Sequence, residues 1–475
     1  MKKGVKTYVV TTAQKGAEPN WTFLNGLERL CKEREGKLLI LPTNGKMTTS
    51  RRGKDKEDNE VITFREYIRS RKKYMELVFD DDDGEVPMDA KFKLNNVLYV
   101  MNYPVKAQQM IPLTSWDRHV KVDKSAIIPS PKLMMFPQAN SKQSLPKILM
   151  STGAVTEPNY KINSWGTHAF LDHNFAAILV EVVDDSAYHF RQLVANKDGV
   201  FYDLGRRYEG SATSVKEDAE LMVLGDLHAG ETDKLSWNAS KKMIKEYKPG
   251  YIVVHDLFSG VSVNPHEQGN ETRRARRAIE GKDILEEELR TCGSVLTELV
   301  HSAPEGCQVV VVRSNHDQFL DRYISAGDFT RAPGKNLPLL HRLAADLQET
   351  PVDDLAGGAL KLGIENYAFH PIPNVKWLRS DEDFKKRGWQ FGDHGHLGPN
   401  GSKGTLRNQE RSLGRSVCGH SHCPGIFRNA WRVGTLSELD LGYNKGPSSW
   451  MHTNFILYRN GQGQLVNILD GKYTG

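Results

Sequence analysis

The sequence predicts an α/β protein, with a C-terminal β-sandwich flanked by helices and a separate N-terminal α/β domain. Three observations carry this. From about residue 216 onward, apolar runs of strand length alternate with helical stretches, the pattern of an α/β sandwich. A chain of 475 residues exceeds what one core usually supports, so two domains are expected. The texture changes near 215, which sets the domains at 1–215 and 216–475.

Taken in order, 7–11 is a short β-branched run. Residues 21–34 place Phe23, Leu24, Leu27, Leu30 and Cys31 at helical spacing, and 37–41 is a second apolar run after Gly36. This opening has no glycine-rich phosphate fingerprint, so no nucleotide site is expected in it. Residues 43–60 read as a polar loop. The acidic run at 80–85 reads as a solvated turn, because Phe79 sits where a calcium loop needs its first ligand. Strand-like runs follow at 96–101, 176–183 and 199–204, and no internal repeat is visible. In the second domain, strands at 221–224, 251–254 and 308–312 alternate with helices at 234–247, about 271–301 and 337–347.

Hydrophobic residues make up 39% of the chain and charged residues 26%, ordinary for a soluble protein. The net charge of +5 excludes a polybasic binder, so any affinity for anions must come from local patches. Five cysteines, an odd number in a large chain, argue against a disulfide framework and for a reducing compartment. The N-terminus lacks a signal-type apolar run, and no stretch approaches the length of a membrane span. A cytoplasmic protein with no membrane partner is expected.

Chemistry concentrates in five short stretches: Gly225-Asp226-Leu227-His228, His255-Asp256, Ser314-Asn315-His316-Asp317, Gly392-Asp393-His394-Gly395-His396 and Gly419-His420-Ser421-His422. Three of them directly follow apolar strands, and the strand-end edge is where α/β folds place ligand sites. Strand period is two, so Asp226 and His228 point to one face, as do His420 and His422. Carboxylate, imidazole and amide donors suit Mn, Fe, Zn or Mg rather than a soft metal. Histidines that merely cap strands are the plain alternative, but five such stretches in one order are hard to assign to capping. A structural zinc site at Cys418 to Cys423 is disfavoured, because ligands so close rarely all reach one tetrahedral ion.

This set resembles the calcineurin-like metallophosphoesterase superfamily, and in particular its nuclease members, including phage-encoded DNases. The resemblance covers roughly 220–470 and says nothing of 1–215. It implies a metallophosphoesterase β-sandwich with two divalent ions, manganese favoured and magnesium, zinc or iron as alternatives. It implies Asp226, His228 and His422 on one ion, Asn315, His394 and His420 on the other, and Asp256 bridging both. His316 would act at the scissile phosphate, oriented by Asp317. The sequence departs from the family pattern at two glycines, which are His255 and Ser314 here.

Other residues bear on the substrate. Arg273, Arg274, Arg276 and Arg277 form a basic cluster suited to phosphodiester oxygens, or else a solvated face balanced by Glu280, Glu286, Glu287 and Glu288. Lys403 and Arg407 lie in a glycine-rich loop that could present cations and N–H groups to phosphate. His266 is a candidate substrate contact in the loop after Asp256. His168, Asp172 and His173 read as structural or interfacial. The expected function is hydrolysis of DNA by a metal-dependent phosphodiesterase. The alternatives are a phosphomonoesterase acting on a phosphoprotein or nucleotide, and a nucleic-acid-binding or assembly protein with a vestigial site. The N-terminal domain is expected to bind substrate or to form a homo-oligomer.

Overall fold

The computed structural model describes residues 6–43, 64–79, 86–87, 90–103, 105–106, 109–141, 145–267, 269–380 and 382–475. The acidic run at 80–85 and nearly all of the 43–60 loop lie outside the described residues.

The first half opens with β1 (Lys6–Gln14), α1 (Trp21–Glu33) and β2 (Lys37–Thr43). The Asn20 side chain caps α1 by accepting from Phe23 N at 3.0 Å, and α1 buries Phe23, Leu24, Leu27, Leu30 and Cys31. Then come α2 (Phe64–Ser70), β3 (Met75–Leu77), β4 (Lys91–Lys93), β5 (Leu98–Met101), β6 (Ser125–Ile128), β7 (Met134–Gln138) and β8 (Lys147–Ser151). The half closes with α3 (Ser164–Leu171), β9 (Ala176–Val182) and β10 (Tyr188–Val194). A small sheet of β11 (Phe201–Asp203), β12 (Arg206–Tyr208) and β13 (Val215–Lys216) follows.

The second half runs β14 (Leu221–Val223), α4 (Lys234–Tyr247), β15 (Tyr251–Val254), α5 (Glu271–Ile279), α6 (Leu285–Ser302) and β16 (Gln308–Val311). It continues through α7 (Phe319–Ala326), α8 (Leu337–Glu349), α9 (Gly358–Gly363), β17 (Val375–Trp377), β18 (Lys385–Lys386) and β19 (Trp389–Gln390). Last come α10 (Leu406–Leu413), β20 (Ser416–Cys418), β21 (Gly425–Phe427), β22 (Ala430–Arg432), β23 (Thr453–Leu457) and β24 (Gly463–Asn467). The helix expected over 271–301 is two helices. Gly281 at φ 70° breaks it, and α6 alone buries an apolar stripe, from Leu285 to Leu299.

Among the described residues, three larger sheets build the molecule. One is ordered β10-β9-β1-β2-β3, a second β17-β16-β15-β14-β23-β24, and the third, of ten strands, β18-β19-β20-β22-β21-β7-β8-β6-β5-β4. One apolar core joins all three, with Val10 and Ile178 from the first, Val223 and Phe455 from the second, and Ile127, Met135, Ile426 and Trp431 from the third. A second core packs α4, α6, α7 and α8 on the six-stranded sheet.

The fold is thus mixed α/β, but residues 1–215 are not a body apart. β7 pairs antiparallel with β21 through Met135–Ile426 and Met134–Phe427, so the ten-stranded sheet takes half its strands from each side of residue 215. Each of those strands would otherwise leave an unpaired edge of N–H and C=O groups. The absence of a repeat is also overturned, at the level of topology. The β4–β8 half of the large sheet has the strand order of its β18–β22 half.

Candidate functional site

The parallel strands β14, β15 and β16 end side by side, so the three peptides that follow them meet at one edge. Backbone bonds lock them together. His228 N donates to Asp256 O at 2.7 Å, and Asp226 N donates to Gly434 O at 3.1 Å. Gly225 is required here, because a Cβ would lie 2.7 Å from the Thr435 carbonyl carbon. Ser314 ties the loops through its hydroxyl, which accepts from Asp256 N at 2.9 Å and donates to Val312 O at 3.1 Å.

The seven expected ligands converge. His228 Nε2 lies 2.9 Å from His422 Nε2 and 3.7 Å from Asp256 Oδ2. His422 Nε2 lies 3.4 Å from Asp226 Oδ2, and His394 Nε2 lies 3.2 Å from Asp256 Oδ2. Asn315 Oδ1 is 2.9 Å from both His394 Nε2 and His420 Nδ1. Among the described residues, two groups have ligand atoms close enough for one ion: His228 with Asp256 and His422, and Asp226 with Asp256 and His394. Asp256 belongs to both. Asp226 stands beside His422 as well as His394, so it is not confined to the His228 side.

The donor set fits divalent ions on an observation independent of motif. Asp226 Oδ1 and Oδ2, Asp256 Oδ2, His228 Nδ1 and His422 Nδ1 are buried and lack hydrogen-bond partners. Orphaned carboxylate oxygens are costly unless something cationic meets them. Burial pushes His228 down to about 3 and His420 to about 4, so both imidazoles are neutral and ligand-ready near pH 7. Burial and the Asp256 charge hold Asp226 well above the usual carboxylate range. Burial also works against ionisation of Asp256, but His394, His316 and His228 together outweigh it and keep that carboxylate well below its usual range. Burial lowers His394, yet Asp256, Asp226 and Asp317 together more than reverse this and raise it to about 9.

His316 stands at the cluster, its ring 4.6 Å from that of His228. The expected pairing with Asp317 is corrected. His316 Nδ1 donates to the Ser259 carbonyl at 2.8 Å, while Asp317 accepts from Phe258 N at 2.9 Å and Ser314 N at 3.4 Å. Asp317 is buried and ties two loops together, because at one residue from His316 its side chain points back under the strand ends.

The substrate candidates scatter. His266 is exposed and packs on Phe319, whose ring also meets His316 at 4.5 Å, so it borders the site. Arg273 and Arg277 pair with Glu267, and Arg276 with Glu280. Arg274 donates to the Arg331 carbonyl. Arg274 and Arg277 line a cavity of about 320 Å³ with Glu267, Asp283 and Tyr323. Of the expected balancing acids, Glu286 and Glu287 instead bind Arg290. Glu288 is half-buried and accepts from Val261 N at 2.8 Å and Ser262 N at 3.0 Å, holding the loop after Asp256. Lys403 and Arg407 are exposed, and the loop bearing Lys403 folds back on itself through Leu397 and Gly404.

Three further residues stand at the site without a sequence signal for their role. His255 is fully buried with Nδ1 3.4 Å from His394 Nδ1. His396 has both ring nitrogens buried without partners. Trp450 lays its ring 4.1 Å from His422. The first two sit inside the motifs; Trp450 lies in a loop with no periodicity to mark it.

No protein-family model matches the chain. It is 31% identical over 346 residues to Protein A1 of Escherichia phage T5, across 70% of this chain and 61% of that protein. The chain therefore spans less than two thirds of that relative's length. Among solved structures, Chaetomium thermophilum Vps29, crystallised with a cyclic peptide, aligns over 44% of this chain and 96% of its own. Its TM-score is 0.25 and its identity 11%, a superposition too slight to define a fold. No helix among the described residues is long and apolar enough to cross a membrane.

Proposed function

We propose that the chain is a metal-dependent phosphodiesterase that hydrolyses DNA. The observation that carries this is the convergence of Asp226, His228, Asp256, Asn315, His394, His420 and His422 around the buried Asp226 carboxylate, neither oxygen of which has a hydrogen-bond partner. Asp226, His228 and His422 would hold one divalent ion, Asn315, His394 and His420 a second, and Asp256 both. Two such ions, when bound, neutralise phosphate charge and lower the pKa of a water nucleophile. The chain's own groups do the rest. The neutral imidazoles of His228 and His420 add donors without adding negative charge, so a phosphate is still attracted. The Ser259 carbonyl holds the His316 ring through Nδ1–H, and in the imidazolium form its Nε2–H would pass a proton to the departing oxygen, leaving a neutral imidazole. His266, which packs on Phe319 beside His316, and the α5 arginines would meet the phosphates of a polymeric substrate.

Calorimetric titration of metal-free protein with manganese, paired with activity on plasmid, single-stranded DNA and a nitrophenyl ester, tests the proposal. The expected result is two ions per chain and cleavage of DNA. Asp256→Ala should weaken both ions together. Zero or one ion at saturation, or one ion left untouched in Asp256→Ala, overturns it. A phosphomonoesterase is the second reading, favoured by the carboxylate partners of Arg273, Arg276 and Arg277; activity on the monoester alone would select it.

A further inference from the structure

The strands of residues 6–194 repeat those of 221–467 in order and direction. From β18 through β19, β20 and β22 to β21 the pairings run antiparallel, parallel, parallel, antiparallel. From β4 through β5, β6 and β8 to β7 they run the same way. The other layer repeats too: β10-β9-β1-β2-β3 matches β24-β23-β14-β15-β16, with two antiparallel and two parallel pairings in each.

The match reaches single residues. Thr12 bridges Ala154, which bridges Phe175; Asp226 bridges Thr435, which bridges His452. Val155 N donates to Thr12 O and Asn20 N to Val155 O, as Leu436 N donates to Asp226 O and Asp233 N to Leu436 O. Asn20 and Asp233 are the N-caps of α1 and α4. Thr12 therefore stands where Asp226 stands, and Gln14 where His228 stands. Between β6 and β7 residues 129–133 carry no histidine, whereas 419–424 carry two. There Lys132, 2% exposed, pairs with Asp172 at 3.1 Å. Among the described residues, both groups able to hold an ion lie in the second copy.

We propose that residues 6–194 are a metal-free second copy of the sandwich that serves the metal-bearing copy as a built-in subunit, its Asn140, just past β7, buttressing the metal cluster. The contact runs through the backbone. Asn140 and Ser448 exchange N–H···O bonds of 2.9 and 2.8 Å. Ser448 Oγ accepts from Trp450 N at 3.2 Å, the Trp450 ring lies on His422, and Met451 N donates to His422 O at 3.1 Å. The reciprocal contact exists: Arg428, in the two-residue β21–β22 turn, reaches Asp172 of the first copy at 3.3 Å. Reciprocal contacts across an antiparallel strand pair are the geometry of a two-fold dimer interface. The sequence between β7 and β8 is longer than the two-residue β21–β22 turn, and Asn140, two residues past β7, is what reaches Ser448.

The inference rests on reading His422 as a metal ligand, and the test separates the two. Residues 139–146 are replaced by Arg-Asn, the turn found between β21 and β22. Trp450→Leu and Trp450→Phe are made separately. Manganese binding to metal-free protein is followed by calorimetry, and the thermal midpoint without metal is recorded. Wild type should bind two ions. The loop replacement and Trp450→Leu should bind one of the two at least tenfold more weakly, while Trp450→Phe stays near wild type and metal-free midpoints of the Trp450 variants barely move. Unchanged binding of both ions in the loop replacement and Trp450→Leu overturns the buttress. Four ions per chain overturn the metal-free first copy. If wild type takes up no manganese, the reading of the site itself falls, and the buttress with it.

Discussion

His228, Asp256, His420 and His422 all sit at positive φ, 47°, 43°, 81° and 58°. For residues with a Cβ this conformation costs about 1–3 kcal/mol each and persists only where the surroundings enforce it. Here the enforcement is visible in the crossed backbone bonds from His228 to Asp256 and from Met451 to His422. Strain gathered at one cluster of polar side chains is what a preorganised site requires. His316 differs, since its placement comes from the Ser259 carbonyl. His316→Ala should lower turnover about 10²- to 10⁴-fold, the usual scale for a general acid, with metal content unchanged. The loss should be smaller on a diester with a nitrophenolate leaving group, which needs less protonation. Equal loss on both substrates would leave only an electrostatic role, and loss of metal would make His316 a ligand.

At the level of elements, α5 is joined through Glu267 to the loop that carries His266. The helix buries none of its residues and is held by the Asn270 cap and by Glu267 and Glu280 rather than by an apolar face. An element of that kind contributes little to folding, so its arginines can be replaced without unfolding the chain. Changing Arg273, Arg274, Arg276 and Arg277 to Ala should weaken DNA binding. The dependence of binding on log salt should flatten by about 0.9 for each phosphate no longer neutralised. Turnover of a small diester should stay near wild type. A matching loss on the small substrate would show that α5 shapes the catalytic loops instead.

Across the whole molecule, a buried charge cluster ties the copies together. Arg191, fully buried, donates to Asp203 and Glu181 at 2.8 Å, Arg34 meets the same two acids, and Gln464 of β24 donates to Asp203 at 3.2 Å. Burial opposes ionisation of Asp203, but Arg191 and Arg34 hold it down to about 2. Next to it, burial and the Arg191 charge press His189 to about 4. The signs agree. Below its ordinary value near 6.5, His189 takes up a proton in the unfolded chain and not in the folded one, so stability falls from about pH 6.5 to 4. Asp203 contributes above its ordinary 3.8, and that contribution is lost as pH falls toward 2. Urea unfolding between pH 7 and 4 should show the decline, with a shallower slope in His189→Gln. A slope unchanged in that variant would assign the decline to other groups.

Much of this is legible in the chain before it folds. Local periodicity alone places α1, α4, β2 and β15, because an amphipathic helix or a buried strand writes its period into neighbouring residues. The seven candidate ligands are legible for the same reason: each lies within a few residues of a strand end whose geometry is local. What a residue touches across the fold is not. Asp317 adjoins His316 in sequence yet serves two loops, and Trp450 reaches His422 from a segment with no pattern of its own. The boundary at 215 vanishes because strand pairing joins distant segments, and nothing in β7 announces β21 as its neighbour. The repeat escapes for the same physical reason. Strand order survives when only apolar character is kept at each position, so two halves can share a topology while one has Asp226 and His228 where the other has Thr12 and Gln14. Residue types and their local spacing mark which side chains are able to do chemistry, because those are properties of neighbours along the chain. Which of them meet, and that the half without ligands is built like the half that has them, depends on contacts between distant segments and is settled only when the sheets assemble.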